Sequence, residues 1–153
     1  LAVARVLASD VSEEALAIAR QNVSRHGLSQ RVTLCQADAA AIPDESIPSG
    51  GFDVIVSNPP YIAENERECL PRHIRNFEPS IALFGGASGL DVIRRIAAGA
   101  GRLLKFDGLM FVEIASGQER SAGELFTSAG WRHERTIADM AGIPRVLVLG
   151  RPA

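Results

Sequence analysis

A chain of 153 residues with 46% hydrophobic side chains can bury one core, and its 22% charged residues leave a formal net charge of −2. That balance offers no basic footprint for a polyanion, so no direct nucleic-acid binding is expected. No apolar run approaches the roughly 20 residues of a membrane-spanning helix, so no membrane association is expected either.

Cys35 and Cys69 are the only cysteines and form no C-x-x-C pair. They read as free thiols of a reducing compartment, which points to a cytoplasmic location. His26, His73 and His133 are scattered without ligand spacing, so no metal site is expected. The chain opens on Leu1 rather than Met, which raises the expectation of a C-terminal piece of a longer protein.

Val6 to Asp10 is a short apolar run ending in an acid, and a helix is predicted after it. Ser12 suits the N-cap, Glu13 and Glu14 suit the positive end of the helix dipole, and Gly27 stops the helix. Asp10, at the end of a strand that feeds a helix, reads either as an acceptor for ribose hydroxyls or as a helix-start residue. Arg31 to Gln36 predicts the next strand, closed by Asp38. Ala39 to Ser49 reads as a loop broken by Pro43 and Pro48.

Val54, Ile55 and Val56 are β-branched and apolar, which predicts a strand buried on both faces. Pro59 and Pro60 end it, because proline has no N–H for a ladder bond. Asn58 therefore falls at the carboxyl edge of a sheet, where open α/β sheets bind ligands. Asn58-Pro59-Pro60-Tyr61 suits one task, holding a planar amino group. The Asn58 carboxamide oxygen and the Pro59 carbonyl accept its two N–H bonds, the prolines stiffen the segment, and Tyr61 offers a flat face. Two such acceptors turn the nitrogen lone pair outward, towards an electrophilic carbon. The plainer reading is a rigid turn.

Ile62 to Pro71 carries Glu64, Glu66 and Glu68 and reads as a solvated lid or short helix rather than a metal loop. Gly85, Gly86 and Gly89 lack a following Gly-Lys-Ser/Thr and read as turn residues, not a phosphate loop. Ser88 and Asp91 resemble a capping box, with an amphipathic helix to about Lys105. Leu109 to Ile114 predicts a strand in which Glu113 is either salt-bridged or faces the cleft. Ser116-Gly117-Gln118-Glu119 reads as a capping box for a helix through Ala129, stopped by Gly130. Two strands, Trp131 to Ile137 and Arg145 to Gly150, close the chain.

This order is an α/β pattern, a mainly parallel sheet with an antiparallel C-terminal hairpin, in one domain over residues 1–153. Asn58-Pro59-Pro60-Tyr61-Ile62, Phe77-Glu78-Pro79, Ala82-Leu83, Gly86, Gly89-Leu90, Gly108, Glu113, Gln118 and Asp139-Met140-Ala141-Gly142 before Arg145 together closely resemble the PrmC/HemK family. The resemblance implies the Rossmann-like class I methyltransferase fold. It also implies S-adenosylmethionine as cofactor and methylation of the side-chain amide of the glutamine in the Gly-Gly-Gln motif of peptide chain release factors.

By the same resemblance, Asp10 would bind the ribose hydroxyls, with Asp38 and the Ala39 backbone beside the adenine. Asn58 would lie near both the methyl donor and the target amide, Pro59 would supply the carbonyl acceptor, and Pro60 and Tyr61 would complete the substrate site. No catalytic role is placed on Glu78 or Arg145. The family's first strand, its glycine-rich loop and its N-terminal helical domain would precede Leu1, so the catalytic domain reads as truncated at its N-terminus. Three alternatives stand beside this reading: a nucleic-acid methyltransferase acting on exocyclic amines, a non-catalytic remnant of the fold, and a nicotinamide oxidoreductase. The last leaves Asn58 to Tyr61 without a role.

Overall fold

In the computed structural model, which describes residues 4–151, the chain forms two compact units, Leu1–Pro48 and Ser49–Ala153. In the first, β1 (Val6–Asp10) and β2 (Val32–Gln36) pair in parallel, from Val6 against Val32 to Asp10 against Gln36. The crossover is α1 (Glu13–Arg25), which starts where the sequence predicts. The Ser12 hydroxyl accepts from the Ala15 N–H at 3.2 Å, a cap whose loss costs about 1 kcal/mol. Gly27, at φ 66°, follows the helix, and Leu16 is its buried residue. The expected loop after β2 contains one short 3₁₀ turn, Asp44–Ser46.

The second unit is a four-stranded sheet in the order β3 (Phe52–Ser57), β4 (Leu104–Glu113), β6 (Pro144–Gly150), β5 (Arg132–Ala138). β3 and β4 are parallel, while β6 is antiparallel to both β4 and β5. β6 alone therefore runs against the other three, and the C-terminal hairpin is antiparallel as expected. The segment between β3 and β4 holds a 3₁₀ helix, Glu64–Cys69, then α2 (Arg72–Phe77), α3 (Ser80–Leu83) and α4 (Asp91–Gly99). α5 (Glu119–Ser128) joins β4 to β5 and packs on β5, β6 and α4.

The core of this unit includes Ile93, Leu104, Met110, Val112, Ile114, Phe126, Leu147, Val148 and Leu149, all fully buried. Each such side chain contributes on the order of 1.5–3 kcal/mol through removal from water. The Trp131 indole N–H donates to the Ala97 carbonyl at 2.8 Å, and its ring meets Phe126 edge to face at 6.0 Å. The polar end of a buried indole is thereby satisfied.

Before β4, three local expectations are corrected. β3 exists but is not buried on both faces: Val54 is 54% and Val56 77% exposed, on one face of the edge strand of this sheet. β-branched composition marks a strand, but it does not say whether both of its faces are covered. α4 ends at Gly99, not near Lys105, because Ala100–Arg102 tighten into a 3₁₀ turn and β4 begins at Leu104. Ala100, Leu103 and Leu104 are all buried, so the apolar spacing that suggests a longer helix is set by burial in successive elements. Ser88 does not cap α4: Leu90 stands at its N-cap with no side-chain bond, and Asp91 pairs with Arg94 at 2.8 Å.

Candidate active site

Asn58 follows β3 directly, where the two prolines end the ladder. Its side chain is exposed and forms no hydrogen bond among the described residues. Pro59 is buried, and no backbone N–H of a described residue donates to its carbonyl. The two acceptors expected from the tetrapeptide are thus both uncommitted.

The rest of the segment is held firmly. The Ile62 N–H donates to the Leu83 carbonyl at 3.0 Å, and the Gly85 N–H donates back to the Ile62 carbonyl at 3.0 Å. The Glu64 N–H donates to the Gly86 carbonyl at 3.1 Å. These bonds pin the turn at Gly85–Gly89 against the tetrapeptide. Gly85 and Gly89 are more than turn residues there. A Cβ on Gly85 would lie 2.4 Å from the Pro60 carbonyl oxygen, and one on Gly89 would lie 2.2 Å from that of Tyr61. Only glycine permits backbone this close.

Tyr61 is gripped at both ends. Its hydroxyl donates to Glu113 Oε1 at 3.3 Å, and its carbonyl accepts from Gln118 Nε2 at 3.0 Å. Burial pushes the Tyr61 phenol above its ordinary value, and the neighbouring Glu113 carboxylate adds to the rise, while Arg145 acts the other way. The phenol therefore stays protonated and remains a donor. Glu113, which the sequence leaves between a salt bridge and the cleft, serves Tyr61.

Arg145 itself pairs with Asp139 at 3.0 Å, and Asp139 also accepts from the Ala141 and Ile143 N–H groups. Bonds from the Ile143 backbone and from Arg145 hold the Asp139 carboxyl below the usual carboxylate range. Glu78 is exposed at the end of α2.

Asp10, Asp38 and Ala39 come together in the first unit. The Ala37 N–H donates to the Asp10 carbonyl at 3.1 Å, and Gln36 Nε2 donates to the Val11 carbonyl at 3.1 Å, so the ends of β1 and β2 stay adjacent. Asp10 Oδ1 accepts from the Ser12 N–H at 2.8 Å, which is the helix-start role. Its side chain is nonetheless exposed at the carboxyl end of a parallel strand, the position from which a carboxylate meets ribose hydroxyls. Asp38 is also exposed. Ala39 has φ 49°, the one left-handed residue other than glycine among the described residues. Holding alanine there costs roughly 1–3 kcal/mol, and such strain collects at ligand sites. These features fit a nucleoside-bearing cofactor. No three His, Cys, Asp or Glu among the described residues are grouped to hold a metal ion.

A family profile described as a methyltransferase domain matches residues 2–140. The chain belongs to this methyltransferase family. The methyltransferase domain is 40% identical over 151 residues to the release factor glutamine methyltransferase of Moorella thermoacetica, covering 97% of this chain and 51% of that protein. It is 45% identical over 118 residues to the ribosomal protein uL3 glutamine methyltransferase of Bordetella pertussis, covering 77% of this chain and 37% of that protein. These identities bear out the PrmC/HemK resemblance, and the chain spans about half or less of such relatives' length. Among solved structures, a methyltransferase from Pyrococcus furiosus superposes with TM-score 0.68 at 21% identity, over 97% of this chain and 64% of that one. It shares the Rossmann-like methyltransferase fold. No helix among the described residues is long and apolar enough to cross a membrane.

Proposed function

We propose that residues 1–153 form, within the full-length protein, one S-adenosylmethionine-dependent domain that methylates the side-chain amide nitrogen of a glutamine in a protein. The substrate assigned is the Gly-Gly-Gln motif of peptide chain release factors. The observation that carries this reading is the pair of uncommitted acceptors, the Asn58 carboxamide oxygen and the Pro59 carbonyl, on a segment fastened at Tyr61 through both its hydroxyl and its carbonyl. The profile match across residues 2–140 supports treating both compact units as one domain. The free Cys35 and Cys69 suit a cytoplasmic setting.

The bound cofactor would supply an electrophilic methyl group, held through Asp10, Asp38 and Ala39. Asn58 and Pro59 accept the two amide N–H bonds and fix the plane of the target. Tyr61, kept neutral, lies along the amide face with Pro60 beside it. An amide is a poor nucleophile, so the site works by alignment, which can account for roughly 7–11 kcal/mol of a barrier. No strong base is required if the proton leaves after transfer.

One relative favours a second substrate. The Bordetella pertussis protein named for uL3 is more identical to this chain than the Moorella protein, although over a shorter stretch. Both names specify glutamine, so the same pair of acceptors serves either substrate. The test is tritiated methyl transfer by the full-length protein to a release factor, its Gln-to-Ala variant, uL3 and duplex DNA. Transfer to the intact release factor alone supports the reading, and transfer to uL3 alone moves the substrate. Transfer to DNA alone, or no transfer at all, overturns it.

A further inference from the structure

We infer that Gln118 is a positioning residue for methyl transfer, because it fastens the Tyr61 end of the acceptor-bearing segment from the start of α5. The inference rests on the function proposed above.

Both halves of the Gln118 carboxamide are in use, and they do different things. Oε1 accepts from the Ala115 N–H at 3.0 Å and so closes the turn that leads into α5. Nε2 donates to the Tyr61 carbonyl at 3.0 Å, across 57 positions of sequence. The first bond is local and structural. The second reaches out of its own element to Tyr61, two positions after the Pro59 acceptor. Gly89 lies against that same carbonyl, and a Cβ there would also come within 2.9 Å of Gln118 Nε2.

The prolines do not supply this restraint. They fix φ at positions 59 and 60 and leave the ψ angles that aim the carbonyls free within their extended range. With the Tyr61 hydroxyl on Glu113 and its carbonyl on Gln118, the segment is held at the one end the prolines leave loose. A carboxamide is the side chain of this reach that carries an acceptor and a donor together.

Gln118→Glu separates the two bonds. The carboxylate still accepts from Ala115, but it faces the Tyr61 carbonyl with a second acceptor and pushes it away. Gln118→Leu removes both bonds. In the full-length protein, Gln118→Glu is expected to lower kcat about tenfold or more at neutral pH, with KM for S-adenosylmethionine within about twofold of wild type. A half-buried glutamate beside a carbonyl takes up a proton more readily than a free one. Protonated, it donates again, so the ratio of variant to wild-type kcat should rise as pH falls from about 8 to about 5.5. Gln118→Leu should stay low throughout.

A second readout needs no turnover. With 3-fluorotyrosine incorporated and the Tyr61 resonance assigned through Tyr61→Phe, Gln118→Glu should shift or broaden that fluorine signal. An unchanged Tyr61 signal, or wild-type kcat in Gln118→Glu, overturns the inference. So does a loss of kcat that ignores pH and only follows a fall in Tm. Failure of the wild-type protein to methylate any glutamine, with the fluorine signal perturbed in the variant, overturns the proposed function and leaves the clamp standing.

Discussion

Replacing Asn58 separates chemistry from folding, because the native side chain is exposed and has no partner among the described residues. Asn58→Ala removes no internal bond and should change stability by no more than about 0.5 kcal/mol, as for a surface site. On the proposed function, however, it removes one of two acceptors at the reacting nitrogen. One amide N–H is then unpaired when water is displaced, and the lone pair is no longer aimed. Removing one preorganised polar contact at a reacting centre costs roughly 10²–10³ in kcat. A hundredfold loss corresponds to about 2.7 kcal/mol of barrier. Asn58→Asp keeps an acceptor of nearly the same shape and should retain measurable activity. Its charge attracts a sulfonium in the ground state, which tightens binding without raising turnover. The assay is tritiated methyl transfer by the full-length protein at saturating S-adenosylmethionine, with the Gln-to-Ala substrate as blank and Tm measured in parallel. Wild-type turnover in Asn58→Ala would refute the reasoning. A loss that tracks a fall in Tm of many degrees would show that the side chain serves the fold instead.

Three further outcomes are expected. Asp10→Ala in the full-length protein should weaken S-adenosylmethionine about tenfold or more by calorimetric titration, since a charged acceptor for a hydroxyl contributes ~1.5–3 kcal/mol; unchanged affinity would leave Asp10 as a helix-start residue only. Gly89→Ala places a Cβ on the Tyr61 carbonyl at φ 72° and should cost about 1–3 kcal/mol together with most of the activity, read as Tm and kcat. The Asp139 carboxyl should titrate by NMR below its ordinary 3.8, because the Ile143 backbone and Arg145 favour the charged form. Its native pKa lies below the unfolded one, so the stabilisation is complete at neutral pH and fades as pH falls through the native value. A midpoint at or above 3.8 would contradict that bonding.

Local features were the legible ones. Ser12 caps α1, Gly27 and Gly130 follow helices in left-handed geometry, and both strand and break are readable around Val54 to Pro60, because each depends on residues a few positions apart. Asn58 and Pro59 are equally legible as two neighbouring acceptors, since they are consecutive residues; that they receive an amide is the proposal. Face coverage is not: Val56 has the composition of a strand buried on both sides, yet it lies on an open face. Helix length is not legible either, because buried Ala100, Leu103 and Leu104 continue the apolar spacing beyond α4, through a 3₁₀ turn and into β4.

Gln118 shows why the rest of the site was hidden. In sequence it completes Ser116-Gly117-Gln118-Glu119, and the local pattern predicts a helix cap. The helix does begin at Glu119, but Ser116 does not cap it: Gly117 is left-handed at φ 83° and Gln118 stands at the N-cap of α5. A true capping box would spend its side chains on the helix's own N–H groups, and none would be left to reach another element. Here half of one carboxamide is spent locally and half crosses to Tyr61. On the proposed function, Asn-Pro-Pro-Tyr is only part of what orients the amide. The prolines limit where the acceptors can go, while residues more than fifty positions away determine where they stay. A chain that kept the tetrapeptide but lost Gln118 and Glu113 would keep both acceptors and lose their fixed spacing, and spacing is what a planar amide responds to.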